Sequence, residues 1–450
     1  MGPPTPRDLR AAWAPAFLAL ALVGGPGTAD TGAGLERLVS QGRYAEAYVE
    51  ASAGCSQVGD SLYLAALSAY NSLMLDDARR DLARLRHLGY ERRDRGWPTV
   101  SDMSARLAAA ERWTAASAPL GAPGARAGYD RFSSAEAAFA TEIERSAPEA
   151  YGAACRIAFG SPRPPDPTPP IALYLFDHNT DAAEFLSALA LHARTDGSGA
   201  SIGLGIMLWR DLGGSVAHPG PYGLRATLAH ETLHGFQSLI GAEYGPRWTV
   251  EGTALMAECL VDPNRALELR CKALLALGAG RDRVLAAMKP GSERFEDYPV
   301  YFVLCSYLAR ENSLASLGSL MRDLNRYGGP STEEALWRRF ALTPAALATD
   351  VVRDAERGGP EWTAARDLVA LRGRADAPGA EPTDGLLAAY RAHPDEPYLG
   401  YLAARALVRA GRLAEARTLV ARLARTGYEG AAGGTLADLQ GQLDGTGPGS

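Results

Sequence analysis

Two histidines flank a glutamate in the stretch His230-Glu231-Thr232-Leu233-His234. On a helix, residues four apart lie on one face, so both imidazoles can bind a single Zn²⁺ ion. Glu231 would then reach a water molecule beside that ion and act as a general base. The alternative is that two surface histidines flank a solvated glutamate. The chain has only seven histidines, which favours the metal site over a chance match.

The helix predicted around this motif, from about 224 to 240, carries an apolar stripe. Four residues at helical spacing form it: Ala229, Leu233, Phe236 and Ile240. Because His230 and His234 lie beside the stripe and not opposite it, we expect both histidines at the edge of a cleft. Two histidines leave a tetrahedral zinc site short of a third protein ligand, with the fourth position open for water.

Glu251 is the candidate for the third metal ligand. It follows the turn-forming stretch 241–246, which would let a second helix run back past the first. Glu258 lies two turns further along the same face of that second helix. Glu258 is either a partner that orients one of the histidines or a solvated carboxylate.

These motifs together resemble those of the gluzincin metallopeptidases, most closely the peptidase-MA-like group. That family has a His-Glu-x-x-His helix followed by a Trp-x-x-Glu-Gly-x-Ala segment, as in residues 230–234 and 248–254. The resemblance covers residues 125–358. It implies an α+β fold, with a zincin-like domain of a small mixed sheet, active-site helices and a helical C-terminal subdomain. It also implies that His230, His234 and Glu251 are zinc ligands. Glu231 would be the general base.

The resemblance further implies a residue that stabilises the oxyanion, carried by a later helix. Tyr298 and Tyr301 are the candidates, and the likeness favours Tyr298 because it opens that helix. Thermolysin-like enzymes orient a histidine with an aspartate four residues after the third ligand, but this chain has Leu255 there. Residues 197–209 alternate between apolar and other side chains, which predicts a strand at the sheet edge where an extended peptide would lie.

The segments on either side of this region have helical patterns. Residues 30–118 and 383–444 each contain a Gly-Arg-x-Ala-Glu-Ala turn, at Gly42 and at Gly411, and resemble tetratricopeptide repeats. Ordinary amphipathic helices in alanine-rich sequence are the alternative. Proline- and glycine-rich stretches at 119–124 and 372–382 predict the linkers between the three segments.

Residues 1–29 have the pattern of a secretory signal peptide, with a short basic region, an apolar run and small residues near Ala29. We therefore expect a secreted, periplasmic or cell-envelope protein with no stable membrane span after cleavage. The net charge of −6 argues against nucleic acid as a partner. The five cysteines have no C-x-x-C spacing, so we expect mostly single buried thiols, although one or two disulfides are compatible with export.

The sequence thus predicts an exported zinc metallopeptidase, acting on peptide or protein substrates as an endopeptidase or oligopeptidase. The alternative is an inactive protein that keeps the zincin fold and binds a protein partner through its helical repeats. A helical scaffold with a fortuitous motif is a further alternative.

Overall fold

The computed structural model describes residues 31–54, 59–91, 96–114, 117–120, 128–133, 135, 137–166, 168–193, 199–211, 224–290, 294–324, 330–375, 383–426, 428, 430–431 and 434–445. These residues form 21 α-helices and a small mixed sheet, so the protein is a mostly helical member of the predicted α+β class. No helix among them is both long and apolar enough to cross a membrane. The predicted signal peptide, 1–29, lies outside the described residues.

Six helices precede the sheet: α1 (Thr31–Ser40), α2 (Tyr44–Gly54), α3 (Asp60–Asn71), α4 (Leu75–His87), α5 (Val100–Ala109) and α6 (Glu111–Thr114). Consecutive helices among α1 to α4 pack against each other through their apolar faces. A capping box begins α5, because Thr99 Oγ1 accepts from the Asp102 amide at 3.0 Å and Asp102 Oδ2 accepts from the Thr99 amide at 3.1 Å. The helical prediction for this segment is confirmed.

Five strands form the sheet: β1 (Ser117–Leu120), β2 (Tyr129–Ser133), β3 (Ile171–His178), β4 (Gly199–Ile202) and β5 (Gly205–Asp211). Their order is β1-β2-β3-β5-β4. The three inner strands are parallel, and both outer strands are antiparallel to their neighbours. The last two residues of β1, Pro119 and Leu120, belong to the stretch 119–124 that the sequence predicts as a linker.

The single edge strand predicted over 197–209 is wrong. The chain reverses at Gly203, which has φ +56°, so that Ile202 pairs with Gly205 in a hairpin. Only β4 therefore lies at the edge of the sheet, while β5 is paired on both sides. Apolar alternation continues through the turn, and for this reason the pattern does not reveal the reversal.

Three further helices flank the sheet: α7 (Ala137–Phe159), α8 (Asn179–Leu189) and α9 (Leu224–Leu239). Side chains alternate between the two faces of a strand. Along β3, one set packs with α7 and α9: Ile171, Leu173 and Leu175. The other set packs with α8 and the N-terminal helices: Ala172, Tyr174 and Phe176. Both faces of the sheet are therefore covered, and the division between segments 30–118 and 125–358 remains a prediction.

Eight helices follow α9: α10 (Arg247–Val261), α11 (Pro263–Leu277), α12 (Arg281–Ala287), α13 (Tyr298–Glu311), α14 (Leu314–Leu324), α15 (Thr332–Phe340), α16 (Pro344–Arg357) and α17 (Pro360–Ala375). A short 3₁₀ turn, Ala242–Tyr244, joins α9 to α10. Helix α10 packs against both α9 and α13. The residues that the motifs predict to be functional therefore come from three neighbouring helices.

The C-terminal segment contains α18 (Thr383–Ala392), α19 (Pro397–Arg409), α20 (Leu413–Arg425), the short strands β6 (Gly430–Ala431) and β7 (Gly434–Thr435), and α21 (Leu436–Asp444). The α1–α2 and α19–α20 turns are alike. Gly42 and Gly411 both have left-handed backbones, with φ +74° and +72°. After each glycine an arginine Nε donates to a glutamate three residues on, at 2.6 and 2.7 Å. These are the predicted helical hairpins, and their assignment as tetratricopeptide repeats stays a prediction.

Four cysteines lie in described parts of the chain, and all four are free thiols: Cys155, Cys259, Cys271 and Cys305. The expectation of single thiols holds for them. Cys55 lies outside the described residues.

Candidate metal centre

Two histidines and one glutamate converge where α9 packs against α10. His230 Nε2 lies 3.0 Å from His234 Nε2, and Glu251 Oε2 lies 3.5 Å from the first nitrogen and 3.8 Å from the second. The histidines occupy successive turns of α9, and Glu251 lies near the start of α10. The three residues predicted as ligands thus form one group that is able to hold a metal ion.

Gln237 determines which nitrogen of His234 carries the proton. The Gln237 Nε2 donates to the Val250 carbonyl at 2.8 Å and to Thr253 Oγ1 at 2.9 Å. Its Oε1 therefore faces His234 Nδ1, at 2.6 Å, and accepts a hydrogen bond from it. Because Nδ1 holds the proton, the neutral imidazole of His234 presents a lone pair at Nε2.

Glu258 has the same effect on His230. Its Oε1 lies 2.6 Å from His230 Nδ1. An ionised carboxylate is only an acceptor, so Nδ1 donates and Nε2 is left with the lone pair. Glu258 is therefore the partner that orients a histidine, one of the two alternatives that the sequence leaves open. Glu258 orients a histidine, as the aspartate of thermolysin-like enzymes does; Leu255, which occupies the position of that aspartate here, has no polar group to do so.

The geometry and chemistry of this group fit a zinc ion. Two lone pairs facing each other across 3.0 Å repel unless a cation or a proton lies between them. Bonds of about 2.0 Å to tetrahedral zinc separate the ligand atoms by about 3.3 Å. The three separations in this group, 3.0 to 3.8 Å, bracket that value. Two imidazole nitrogens and one carboxylate oxygen are also a ligand set of catalytic zinc sites.

The electrostatic field at the group favours a cation. Burial alone would lower the pKa of His230, but the carboxylates of Glu251 and Glu258 raise it well above its usual value. Burial alone would raise the pKa of Glu251, but the charges of His234, His230 and Arg247 lower it to about 2. Glu251 is therefore ionised, and the surroundings of the two imidazoles stabilise positive charge between them.

Arg247 connects Tyr298 to this group, because its guanidinium contacts both Tyr298 and Glu251. An Arg247 guanidinium nitrogen lies 2.9 Å from Glu251 Oε1 and donates to the Tyr298 hydroxyl at 3.0 Å. Burial, and next the Glu251 charge, raise the pKa of the Tyr298 phenol, so it keeps its proton. Tyr298 lines the cavity at the metal centre, whereas Tyr301 is fully buried in the core. Of the two candidate tyrosines, Tyr298 is thus the one that lines the cavity.

A chain of ion pairs, buried except at Lys272, supports Glu258. Arg265 Nε donates to Glu258 Oε2 at 2.9 Å, and Arg265 Nη1 donates to Glu268 Oε2 at 2.8 Å. Lys272 Nζ lies 2.6 Å from Glu268 Oε1. Arg265 thus holds the carboxylate that holds His230. A buried charged group of this kind is stable only while its partners are in place.

We expect Arg265→Met to weaken metal binding by about 10- to 100-fold, since partners of ligands commonly contribute this much to metal affinity. Arg270→Met is the matched control. Both arginines lie in α11, and their side chains are 15% and 14% exposed. Arg270 forms its ion pair, at 2.8 Å, with Glu361, which does not line the cavity. Competition with a chelating dye measures the affinity, and thermal unfolding measures the stability of each variant. Equal loss of metal affinity in both variants would contradict a specific role of Arg265.

A cavity of about 740 Å³ contains the metal-binding group. Glu231 lines it and is 9% exposed. Among the described residues, none forms a hydrogen bond or ion pair with the Glu231 carboxylate. Strand β4 also lines the cavity, and a Cβ at Gly199 would lie 3.1 Å from Glu231 Cγ. The glycine therefore permits close approach between the edge strand and the predicted base.

Two residues of this centre, Gln237 and Arg265, were not predicted from the sequence. Gln237 follows His234 by three residues on one helix, a spacing that puts it within reach, so the local sequence contains a signal for it. Arg265 has no such signal, because α10 ends between Glu258 and Arg265. His178 is exposed at the end of β3, and His218 lies outside the described residues.

No protein-family model, curated protein or solved structure matches the chain. The interpretation of these residues as a metal centre therefore depends on their geometry and chemistry alone.

Proposed function

We propose that the protein is an exported zinc peptidase of gluzincin type, related to the peptidase-MA-like group. One observation carries the proposal. Three converging ligand atoms and the Glu231 carboxylate face the same cavity, next to the edge strand of a sheet. A structural zinc site would have four protein ligands and no neighbouring carboxylate left without a partner. Export rests on the signal-peptide pattern of residues 1–29 alone.

A bound zinc ion would polarise a peptide carbonyl and lower the pKa of a water molecule. Glu231 would take the proton from the attacking water and deliver it to the leaving amine. Arg247 donates to the Tyr298 hydroxyl, and the phenol in turn donates to Glu251. With Glu251 bound to zinc, Tyr298 would turn this proton to the developing oxyanion. Its raised pKa supports this role, because the phenol stays a donor at neutral pH.

The substrate would be an extended peptide lying along β4. An edge strand has unpaired backbone groups that can bind a further strand, and β4 lines the cavity along its whole length. Backbone pairing of this kind is independent of side chains. It would therefore bind unfolded peptides of many sequences.

We expect the protein without residues 1–29, purified gently, to contain about one zinc ion per chain and to cleave members of an unfolded peptide library. Metal analysis and mass spectrometry of the digest measure both properties. A chelator should abolish cleavage, and added zinc should restore it. A stoichiometric metal with no cleavage of any peptide would favour the inactive zincin-fold alternative, and the absence of bound metal would favour the helical scaffold.

A further inference from the structure

The N-terminal helices form part of the cavity wall, at the end that lies beyond His234. The α1–α2 turn contributes Gly42, Tyr44 and Ala45. The last turn of α9 and the 3₁₀ turn after it contribute the facing wall, with Ser238, Glu243 and Tyr244. This end of the cavity therefore joins segments that are far apart in the sequence.

The two walls touch each other at this end. The Tyr244 hydroxyl donates to the Gly42 carbonyl at 2.9 Å. Gly241 lies against the Glu46 carboxylate, so that a Cβ at this glycine would come within 2.7 Å of Glu46 Oε1. A peptide running along the cavity in this direction would meet these contacts, which we take as the closed end of the cavity.

Helix geometry gives the distance from the metal centre to the closed end. A helix rises about 1.5 Å per residue, so Gly241 lies about 10 Å beyond His234 along α9. An extended peptide advances about 3.3 Å per residue. About three residues therefore fit between the scissile bond and the closed end.

The charge at the closed end distinguishes the two ends of a peptide. Glu243 accepts hydrogen bonds from Ser238 Oγ and from the Tyr244 side chain, and it forms no salt bridge with a described side chain. The Arg43 guanidinium binds Glu46, so these two charges balance. The ionised Glu243 carboxylate, which has no salt-bridge partner, would attract an ammonium group and repel a terminal carboxylate. Burial raises the pKa of Glu243, and the hydrogen bonds from Ser238 and Tyr244 oppose this rise only in part.

We propose that the closed end binds the free amino terminus of an oligopeptide through Glu243, and that cleavage is limited to bonds within about three residues of that terminus. The proposal rests on the peptidase function above and specifies its substrates. An oligopeptide with a free amino terminus fits this cavity, and an internal loop of a folded protein does not.

Binding to the zinc-loaded Glu231→Gln variant tests the proposal without requiring turnover. The probes are peptides built on one bond cleaved in the library digest, with one to ten residues before that bond, each with a free or an acetylated amino terminus. We expect free-amine peptides with up to about three such residues to bind at least about tenfold more tightly than acetylated or longer ones. Adding Glu243→Gln should remove the preference for the free amine, and adding Tyr244→Ala should allow longer peptides to bind.

Glu50→Gln is the matched control, because Glu50 is an exposed glutamate on α2 that does not line the cavity. It should keep the preference for a free amino terminus. Equal binding of free and acetylated peptides of all lengths would overturn this inference and leave the peptidase function intact. If the wild-type protein cleaves no peptide in the library digest that supplies these probes, the peptidase function itself is wrong.

Discussion

Glu231→Gln is expected to leave zinc bound and to lower kcat for peptide hydrolysis by about 10²- to 10⁴-fold, the range for removal of a general base. Glutamine has nearly the same shape as glutamate but cannot take a proton from water. Glu231 is not one of the three residues whose ligand atoms converge, so metal binding should not depend on its charge. Initial rates on the best peptide of the library, together with zinc content, measure the two effects separately.

An exposed glutamate provides the control for this substitution. Glu311→Gln, at the end of α13, makes the same chemical change away from the cavity and should leave both the rate and the zinc content unchanged. Hydrolysis by Glu231→Gln at the wild-type rate would mean that another group acts as the base. Loss of zinc from the same variant would instead mean that the carboxylate supports the metal site.

The ligand residues were predictable because their geometry is local. The spacing of His230 and His234 puts both imidazoles on one side of a helix wherever that helix packs. The short turn before α10 then brings Glu251 to the same place, and turn-forming residues between Gly241 and Pro246 indicate it in the sequence. The α+β class came from the same local motifs, through their resemblance to the gluzincins.

The surroundings of the ligands depend on contacts between distant segments, and local patterns do not contain these. Arg265 reaches Glu258 only because the chain turns at the end of α10. The hairpin turn at Gly203 lies against Ser72, since a Cβ at this glycine would come within 2.7 Å of Ser72 Cα. Nothing in the alternation of β4 and β5 predicts that partner. The same holds for the closed end of the cavity, which needs the α1–α2 turn at a particular place on α9.

The packing also bears on the predicted division into three segments. The N-terminal helices cover one face of the sheet that supports the metal centre, and the Tyr174 hydroxyl of β3 donates to the Leu73 carbonyl at 2.5 Å. Removing these helices would expose to water the part of this face that α8 does not cover. A truncation would therefore disturb the fold as well as the cavity. A point variant such as Tyr244→Ala removes only the contact with Gly42, and so tests the role of the N-terminal segment in the cavity more cleanly.

His234→Ala should have the largest effect on metal binding, greater than the about 10- to 100-fold expected for a residue that only orients a ligand. The substitution removes one of two nitrogens that face each other across 3.0 Å and leaves Gln237 without its donor. In the wild type, zinc at about 100 times its Kd should stabilise the fold by about 2.7 kcal/mol, because only the folded chain holds the three ligands together. The variant should lack this gain.

Zinc content after dialysis and thermal unfolding with and without zinc measure these effects. His87→Ala is the control, since His87 is an exposed histidine in the last turn of α4. It should keep both the metal and the stabilisation by zinc. Stoichiometric zinc and an unchanged unfolding response in His234→Ala would make the His-Glu-x-x-His motif fortuitous. The helical scaffold would then be the better description, because the peptidase and the inactive zincin fold both require this ligand.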